Sequence, residues 1–329
     1  GIRTPLISAP MAGGSGGRLA ARVSQGGGLG FIAYGYQSLD ALRSEVDTAR
    51  SLLQIDSNSL LPIGIGYLGW RLESPGVAAH DLLSVALNNH VQAIWLSFGT
   101  QLHSWIDFIR KSERKPGNTK IIVQVDSLNE ALVAVRDWKA DVVVAQGIEA
   151  GGHGSATAPS LLTLLSEILS TIPEDGPPIL GAGGIVNGAQ VASLLGIGAS
   201  GAVLGTRFLL SPESLYSELQ RQALIAAPTG SSVRTTAFDQ VRNTLGWPEG
   251  IDGRGLRNST VDEFQEGANL DDLRRKYAAA VKTGDVDRIV TWAGASVGLL
   301  NRILPAKEIV EEIHRDCVTH LQAVNSLFE

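Results

Sequence analysis

Eight short apolar runs, each followed by a stretch of helical periodicity, fill the first two thirds of the chain, and this alternation restricts the fold more than any other feature. A helix between successive strands returns the chain to the same end of the sheet, so the strands run parallel. The runs are Leu6 to Met11, Leu29 to Ala33, Leu61 to Gly66, Ala93 to Ser97, Lys120 to Val125, Val142 to Val144, Pro178 to Ala182 and Gly201 to Gly205. Helical spacing follows over Arg18 to Gln25, from Ser38, near His80 to Asn89, over Ser104 to Lys111, Leu128 to Trp138 with Asp126 or Ser127 as cap, Ser160 to Thr171, and Gly188 to Leu195. Eight such units in about 210 residues predict an α/β fold of the (β/α)8 TIM-barrel type, with the active site on the loops that follow the strands. A doubly wound sheet would carry a glycine fingerprint after its first strand and an acidic residue about twenty positions later. Here GGSGG follows a Pro-Met corner, and no acidic side chain precedes Asp40.

From Pro212 to about Asp287 the rhythm stops. Helical patterns (Glu213 to Ala226, Leu270 to Thr283) mix with turn-rich stretches such as TLGWPEGIDGRG, and the segment reads as an inserted, mostly helical lid domain over the C-terminal mouth of the barrel. Trp292 to Leu300 then returns as an apolar piece, and Pro305 to Leu321 forms a last amphipathic helix able to complete the barrel wall. The expected division is a barrel at 1–212, a lid or substrate domain at 213–287, and a return to the barrel at 288–329.

Composition narrows the function classes. With a net charge of −6 and no run of clustered Lys and Arg, the chain lacks the surface that nucleic-acid binding requires. The densest basic patch, Arg110 to Lys115, is interrupted by Glu113 and suits a solvated helix end. One cysteine, Cys317, leaves no internal disulfide and no cysteine-based metal site, and no metal is expected. No apolar run reaches the length of a membrane-spanning helix, so an intracellular, cytoplasmic protein is the expectation, with the proviso that a targeting signal could have been trimmed.

Two constellations carry chemistry. In DVVVAQGIEAGGHG (Asp141 to Gly154) a buried-type strand runs into a glycine-dense loop, where backbone can approach a flat ligand and the imidazole of His153 stands as candidate acid or base. The loop after strand seven holds Gly181, Ala182, Gly183, Gly184 and Ile185; the loop after strand eight holds Gly205, Thr206 and Arg207. In barrels these two loops commonly make a phosphate cradle from free N–H groups. Thr206 would add a hydroxyl donor, while Arg207 is free to face outward.

PLISAPMAGG at Pro5 to Gly14, the His153 loop, PILGAGGIVNG at Pro178 to Gly188, GAVLGTRFLLSPES at Gly201 to Ser214 and WAGASVGL at Trp292 to Leu299 together resemble the nitronate monooxygenase family, formerly called 2-nitropropane dioxygenases. The segments span nearly the whole chain in the family's order. The resemblance implies FMN as cofactor. By it Ala9, Pro10 and Met11 lie along the flavin ring, Gln124 reaches its polar edge, and Ala150, Gly151 and Gly152 pass near it. It further implies that Ala182, Gly183, Gly184, Gly205 and Thr206 hold the phosphate and that His153 is the catalytic base or orients substrate. The family often has an Asn-containing strand end after strand three, where this chain has Gly64, Ile65, Gly66 and Tyr67.

The implied reaction is oxidation of an alkyl nitronate or nitroalkane by oxygen to a carbonyl compound and nitrite. EAGGHG is shared with flavin-dependent enoyl-acyl-carrier-protein and quinone reductases of the same superfamily, so an NAD(P)H-dependent reductase is the alternative, and a non-catalytic flavin-binding protein a third reading. An inosine-monophosphate-dehydrogenase type would need a nucleophilic Cys after strand six, and none is present. The partners expected are a small-molecule substrate and oxygen, with no nucleic acid and no membrane; the physiological nitro compound and the oligomeric state, a homodimer among the options, stay open.

Overall fold

The computed structural model describes residues 2–113 and 117–326. The expected units follow in order: β1 (Leu6–Ser8), α1 (Gly17–Gly26), β2 (Gly30–Tyr34), α2 (Leu39–Leu53), β3 (Leu61–Leu68), the short α3 (Gly69–Leu72), α4 (Ala79–Asn88), β4 (Val91–Ser97) and α5 (Leu102–Ser112). Then come β5 (Lys120–Val125), α6 (Leu128–Arg136), β6 (Val142–Gln146), β7 (Gly152–Ser155), α7 (Leu161–Thr171), β8 (Ile179–Ala182), α8 (Gly188–Gly196), β9 (Gly201–Leu204) and the single turn α9 (Thr206–Leu209). The helices start where short polar side chains stand: Ser38, Ser127, Ser160 and Asn187 each accept a hydrogen bond from the N–H three residues on. Of the two candidate caps for α6, Ser127 is the one used. Asp126 instead accepts from the N–H of Ser155 at 3.1 Å, tying β5 to β7.

Eight of these strands form one parallel sheet in the order β1-β9-β8-β6-β5-β4-β3-β2. A parallel bridge between Ile7 and Leu29, with bonds from Ser8 N–H to the Leu29 carbonyl and from Leu29 N–H to the Leu6 carbonyl, joins the two edges. The sheet is therefore a closed (β/α)8 barrel. Its interior is filled by Ile7, Phe31, Trp95, Ile122, Val144, Leu180 and Val203, all nearly inaccessible to solvent, and a larger apolar layer lies between strands and helices. Such packing leaves no open pore.

Beyond residue 212 lie α10 (Glu218–Ala226), β10 (Ser232–Thr235), α11 (Ala237–Arg242), β11 (Ile251–Leu256), α12 (Ser259–Gln265), α13 (Leu270–Thr283) and α14 (Ala306–Asn325). Helix α13 has the expected limits, but two expectations fail. The stretch read as turn-rich contains β11, and the glycine-dense loop read as irregular contains β7; with β10 they form an antiparallel sheet ordered β10-β11-β7. In its register Gly253 faces His153 and Asp252 faces Gly154. Four glycines in these two short strands hid them, because glycine removes the β-branched and alternating signals by which strands are read. Among the described residues no helix is long and apolar enough to cross a membrane. The basic patch of Arg110 to Lys115 falls partly at 114–116, outside the described residues.

Helix α14 takes the eighth wall position, against α1 and α8. The approach is close enough that glycine is required on both sides: a Cβ at Gly26 would lie 2.9 Å from Val310 Cβ, and one at Gly188 would lie 2.3 Å from the backbone nitrogen of Cys317. Cys317 itself is buried in this contact, as packing. Gly188→Val should accordingly push α8 from α14 and destabilise the protein by about 1–3 kcal/mol, read as a lower urea midpoint with an unchanged slope. An unchanged midpoint would mean that the two helices do not depend on this contact.

Candidate active site

A cavity opens at the C-terminal ends of the barrel strands, and every site residue expected from the sequence lines it: Ala9, Pro10 and Met11 after β1, Gln124 in β5, Ala150, Gly151, Gly152 and His153 after β6, Ala182 at the end of β8 with Gly183 and Gly184 after it, and Gly205 and Thr206 after β9. Residues far apart in sequence thus meet on one surface. Gly66 and Tyr67, in the stretch that departs from the family pattern, line it as well. A Cβ at Gly66 would stand 2.3 Å from Pro10 Cβ, so glycine there is what lets the Pro10 corner fold against β3.

On one side the cavity offers hydrogen-bond donors. Gly183 and Gly184 both have positive φ, at 117° and 71°, which turns successive N–H groups outward from the strand end. Among the described residues, the loop hydrogen bonds leave the N–H groups of Gly183, Gly184, Gly205 and Thr206 without an acceptor. The Thr206 hydroxyl accepts from Gly294 N–H at 3.0 Å, which leaves its own proton free to donate. Arg207 does not join them and does not face outward: it is buried and donates to the carbonyl of Arg302. Its neighbour Phe208 fills the core beside it, so the turn of α9 carries the guanidinium inward.

On the other side stands His153. Its Nε2 lies 2.9 Å from Oδ2 of Asp239 in α11, and the two side chains are only 10% and 7% exposed. Oδ1 of Asp239 accepts from the Thr244 hydroxyl at 2.7 Å. The imidazole is stacked on Trp247, with centroids 3.6 Å apart and planes within 10°, and meets Trp292 edge-on at 4.9 Å. Burial pushes the His153 pKa below its ordinary value, and the hydrogen bond and charge of Asp239 restore only part of that. Burial pushes the Asp239 carboxyl up, but the bonds from His153 and Thr244 outweigh it, and the carboxyl lies below its ordinary value. Near neutral pH the pair is therefore a carboxylate and a neutral imidazole. Nε2 then carries the hydrogen and donates to Asp239, and Nδ1 keeps its lone pair as a base.

Asp239, Arg242 and Trp247 come from residues 213–287, and sequence reasoning missed all three. They sit around the unrecognised β10 and β11, and only the i, i+3 spacing of Asp239 and Arg242, which puts both on one face of α11, could have drawn notice.

The family model described as nitronate monooxygenase matches residues 1–63 and 74–316. A nitronate monooxygenase of Neurospora crassa is 32% identical, over 98% of this chain and 91% of the relative. The nitronate monooxygenase npaC of Metarhizium robertsii is 34% identical over 94% and 90%. Among solved structures, a nitroalkane oxidase from Streptomyces ansochromogenes superposes with a TM-score of 0.79 at 28% identity, covering 98% of both chains. FabK from Thermotoga maritima has a TM-score of 0.79 at 26% identity, covering 99% of this chain and 96% of the other.

The electrostatics of the His153 pair predict its titration. By NMR, His153 should titrate below the ordinary histidine value of about 6.5, and Asp239→Asn, which removes the raising charge, should move it lower still. A shift upward in that variant would overturn the raising influence assigned to Asp239.

Proposed function

The chain belongs to the nitronate monooxygenase family, and on that premise we propose that it uses FMN and molecular oxygen to oxidise alkyl nitronates to a carbonyl compound and nitrite. The observation that carries the reading is the shared cavity, with unpartnered N–H groups on one wall and a His–Asp pair on the other. The residues fit a flavin mononucleotide. Gly183, Gly184, Gly205 and Thr206 would hold the phosphate, and among the described residues no carboxylate lines the cavity to repel it. The indole N–H groups of Trp95 and Trp247, which also line the cavity, are buried without an acceptor, so polar ligand atoms have donors to meet. Ala9, Pro10 and Met11 would lie along the ring, with Gln124 at its polar edge and Ala150 to Gly152 beside it. A mononucleotide needs only one such phosphate cradle, and no dinucleotide fingerprint accompanies it.

When bound, the flavin supplies the electron acceptor for the nitronate, with oxygen as co-substrate. The protein's own part is to prepare that nitronate. His153 Nδ1 takes the proton α to the nitro group of a neutral nitroalkane, a task suited to an imidazole that is unprotonated at working pH. Asp239 fixes the ring and the tautomer and steadies the imidazolium that forms, as a positioning residue. Trp247, Trp292 and Phe98 keep water from the reacting carbon. Residues 213–287 act as the lid that carries Asp239 and Trp247 over the barrel mouth.

Replacing His153 with Asn should lower activity on a neutral nitroalkane by about a hundred- to ten-thousandfold, the usual worth of general base catalysis. Activity on a preformed nitronate should fall much less, with flavin content unchanged. Parental rates on both substrates would make His153 a structural residue. Gly183→Val should yield protein without bound flavin, since a side chain would occupy the phosphate's volume; a fully loaded variant, or FAD released from the parent, would refute the cradle. Anaerobic bleaching of the flavin by NADH or NADPH, and not by a nitronate, would favour a reductase instead.

A further inference from the structure

Arg242 is the only charged side chain lining the cavity among the described residues. Its guanidinium carbon lies 5.7 Å from the centroid of Tyr36, a ring that lines the cavity and is 38% exposed. Arg71 lies 5.5 Å from the same centroid and equally far from that of Trp70. Among the described residues neither guanidinium makes an ion pair or a hydrogen bond, and Nε of Arg71 is buried without an acceptor. The nearby carboxylates are committed elsewhere. Asp239 holds His153 and Thr244, and Glu73 accepts from the N–H groups of Thr100 and Gln101 and from the Thr100 hydroxyl. Aromatic rings steady the two arginines without neutralising them.

Two unpaired guanidinium groups beside one tyrosine, in a protein with a net charge of −6, leave their donors available to something that is not part of this chain. From this arrangement we propose that Arg71 and Arg242, with Tyr36, form a receiving site for a planar two-oxygen monoanion, either the nitronate group itself or a carboxylate borne by the substrate. The planar fork of a guanidinium matches two such oxygens. Arg242 stands three residues from Asp239 on α11, so an anion drawn to it arrives on the His153 side of the cavity. The site favours an anionic substrate over a neutral nitroalkane at the binding step; a nitronate held there is already deprotonated, whereas a carboxylate-bearing nitroalkane still has its α proton to give to His153. This inference rests on the oxidation reading for its substrate and on the unpaired arginines for its chemistry.

The test compares parent, R71Q, R242Q, the double variant and R242K, all as flavin-loaded enzyme. Ethylnitronate supplies an anion at the nitro end, 4-nitrobutanoate one at the far end, and nitroethane none. We expect kcat/KM for at least one anionic substrate to drop roughly tenfold or more with each Gln variant, as loss of a charged hydrogen-bond partner implies. It should drop in the parent as ionic strength rises. Nitroethane should lose several-fold less than the responding anion, and R242K should recover part of the loss, as retained charge allows. Which anionic substrate responds tells whether the nitronate or the carboxylate is held. Equal losses on nitroethane, or none on either anion, would overturn the proposal. A second readout needs no turnover: formate should quench the cavity tryptophans saturably in the parent and not in the double variant. If the parent binds formate in this way yet oxidises no nitronate, the anion site stands and the oxidation reading falls; if it shows no saturable response, the anion site falls.

Discussion

The hydrogen bond between His153 and Asp239 joins two parts of the chain that are 86 residues apart, and the chemistry of the cavity depends on it. A histidine this deeply buried would ordinarily lose its value as a base or turn at random between tautomers. A carboxylate on Nε2 settles which nitrogen carries the hydrogen and leaves the other free. That carboxylate arrives from outside the barrel. The β7–β11 ladder, with His153 facing Gly253, supplies the rigidity that the pairing needs, because α11 lies between β10 and β11 and moves with them.

Much of the barrel was legible in the sequence because parallel strands buried on both faces read as unbroken apolar runs, and because short polar residues such as Ser38 and Ser160 stand at helix starts, although at α6 Asp126 and Ser127 both fit. The limits of β5 and α13 agree with the expected ones to the residue. The glycine loops that meet in the cavity were legible too, since glycine at a strand end in a barrel has few other uses. Hidden were the elements whose signals glycine erases, β7 and β11, together with everything they position. Nothing in the local sequence around Asp239 says that it will meet His153: a long-range pair between a loop and an insertion leaves no periodicity. Arg207 shows a different case, a charged residue whose sequence left it free to face outward but which is buried against a carbonyl.

Charge in the cavity is distributed with economy. The donors on the Gly183 and Thr206 wall are backbone amides and one hydroxyl, which attract an anion without bringing a full charge into the core. Full positive charge is confined to the far side, where Arg242 meets Tyr36. A cofactor phosphate and an anionic substrate would thus be held by different means within one cavity, which Pro10, Met11, Trp247 and Trp292 also line.

Helix α14 follows the insertion in sequence yet occupies the wall between α1 and α8, so the seam of the barrel is sealed only once residues 306–325 have been made. During synthesis β1 waits for β9, nearly two hundred residues later, and the outer faces of α1 and α8 wait longer still for Val310, Ile313 and Cys317. Pairings of such sequence separation form slowly, and unfinished intermediates expose apolar surface in the meantime. The nascent protein therefore passes through a stage in which strands and cradle are already made but the wall is open along one side. Helper proteins that shield apolar surface would act on this chain at that stage, before α14 docks.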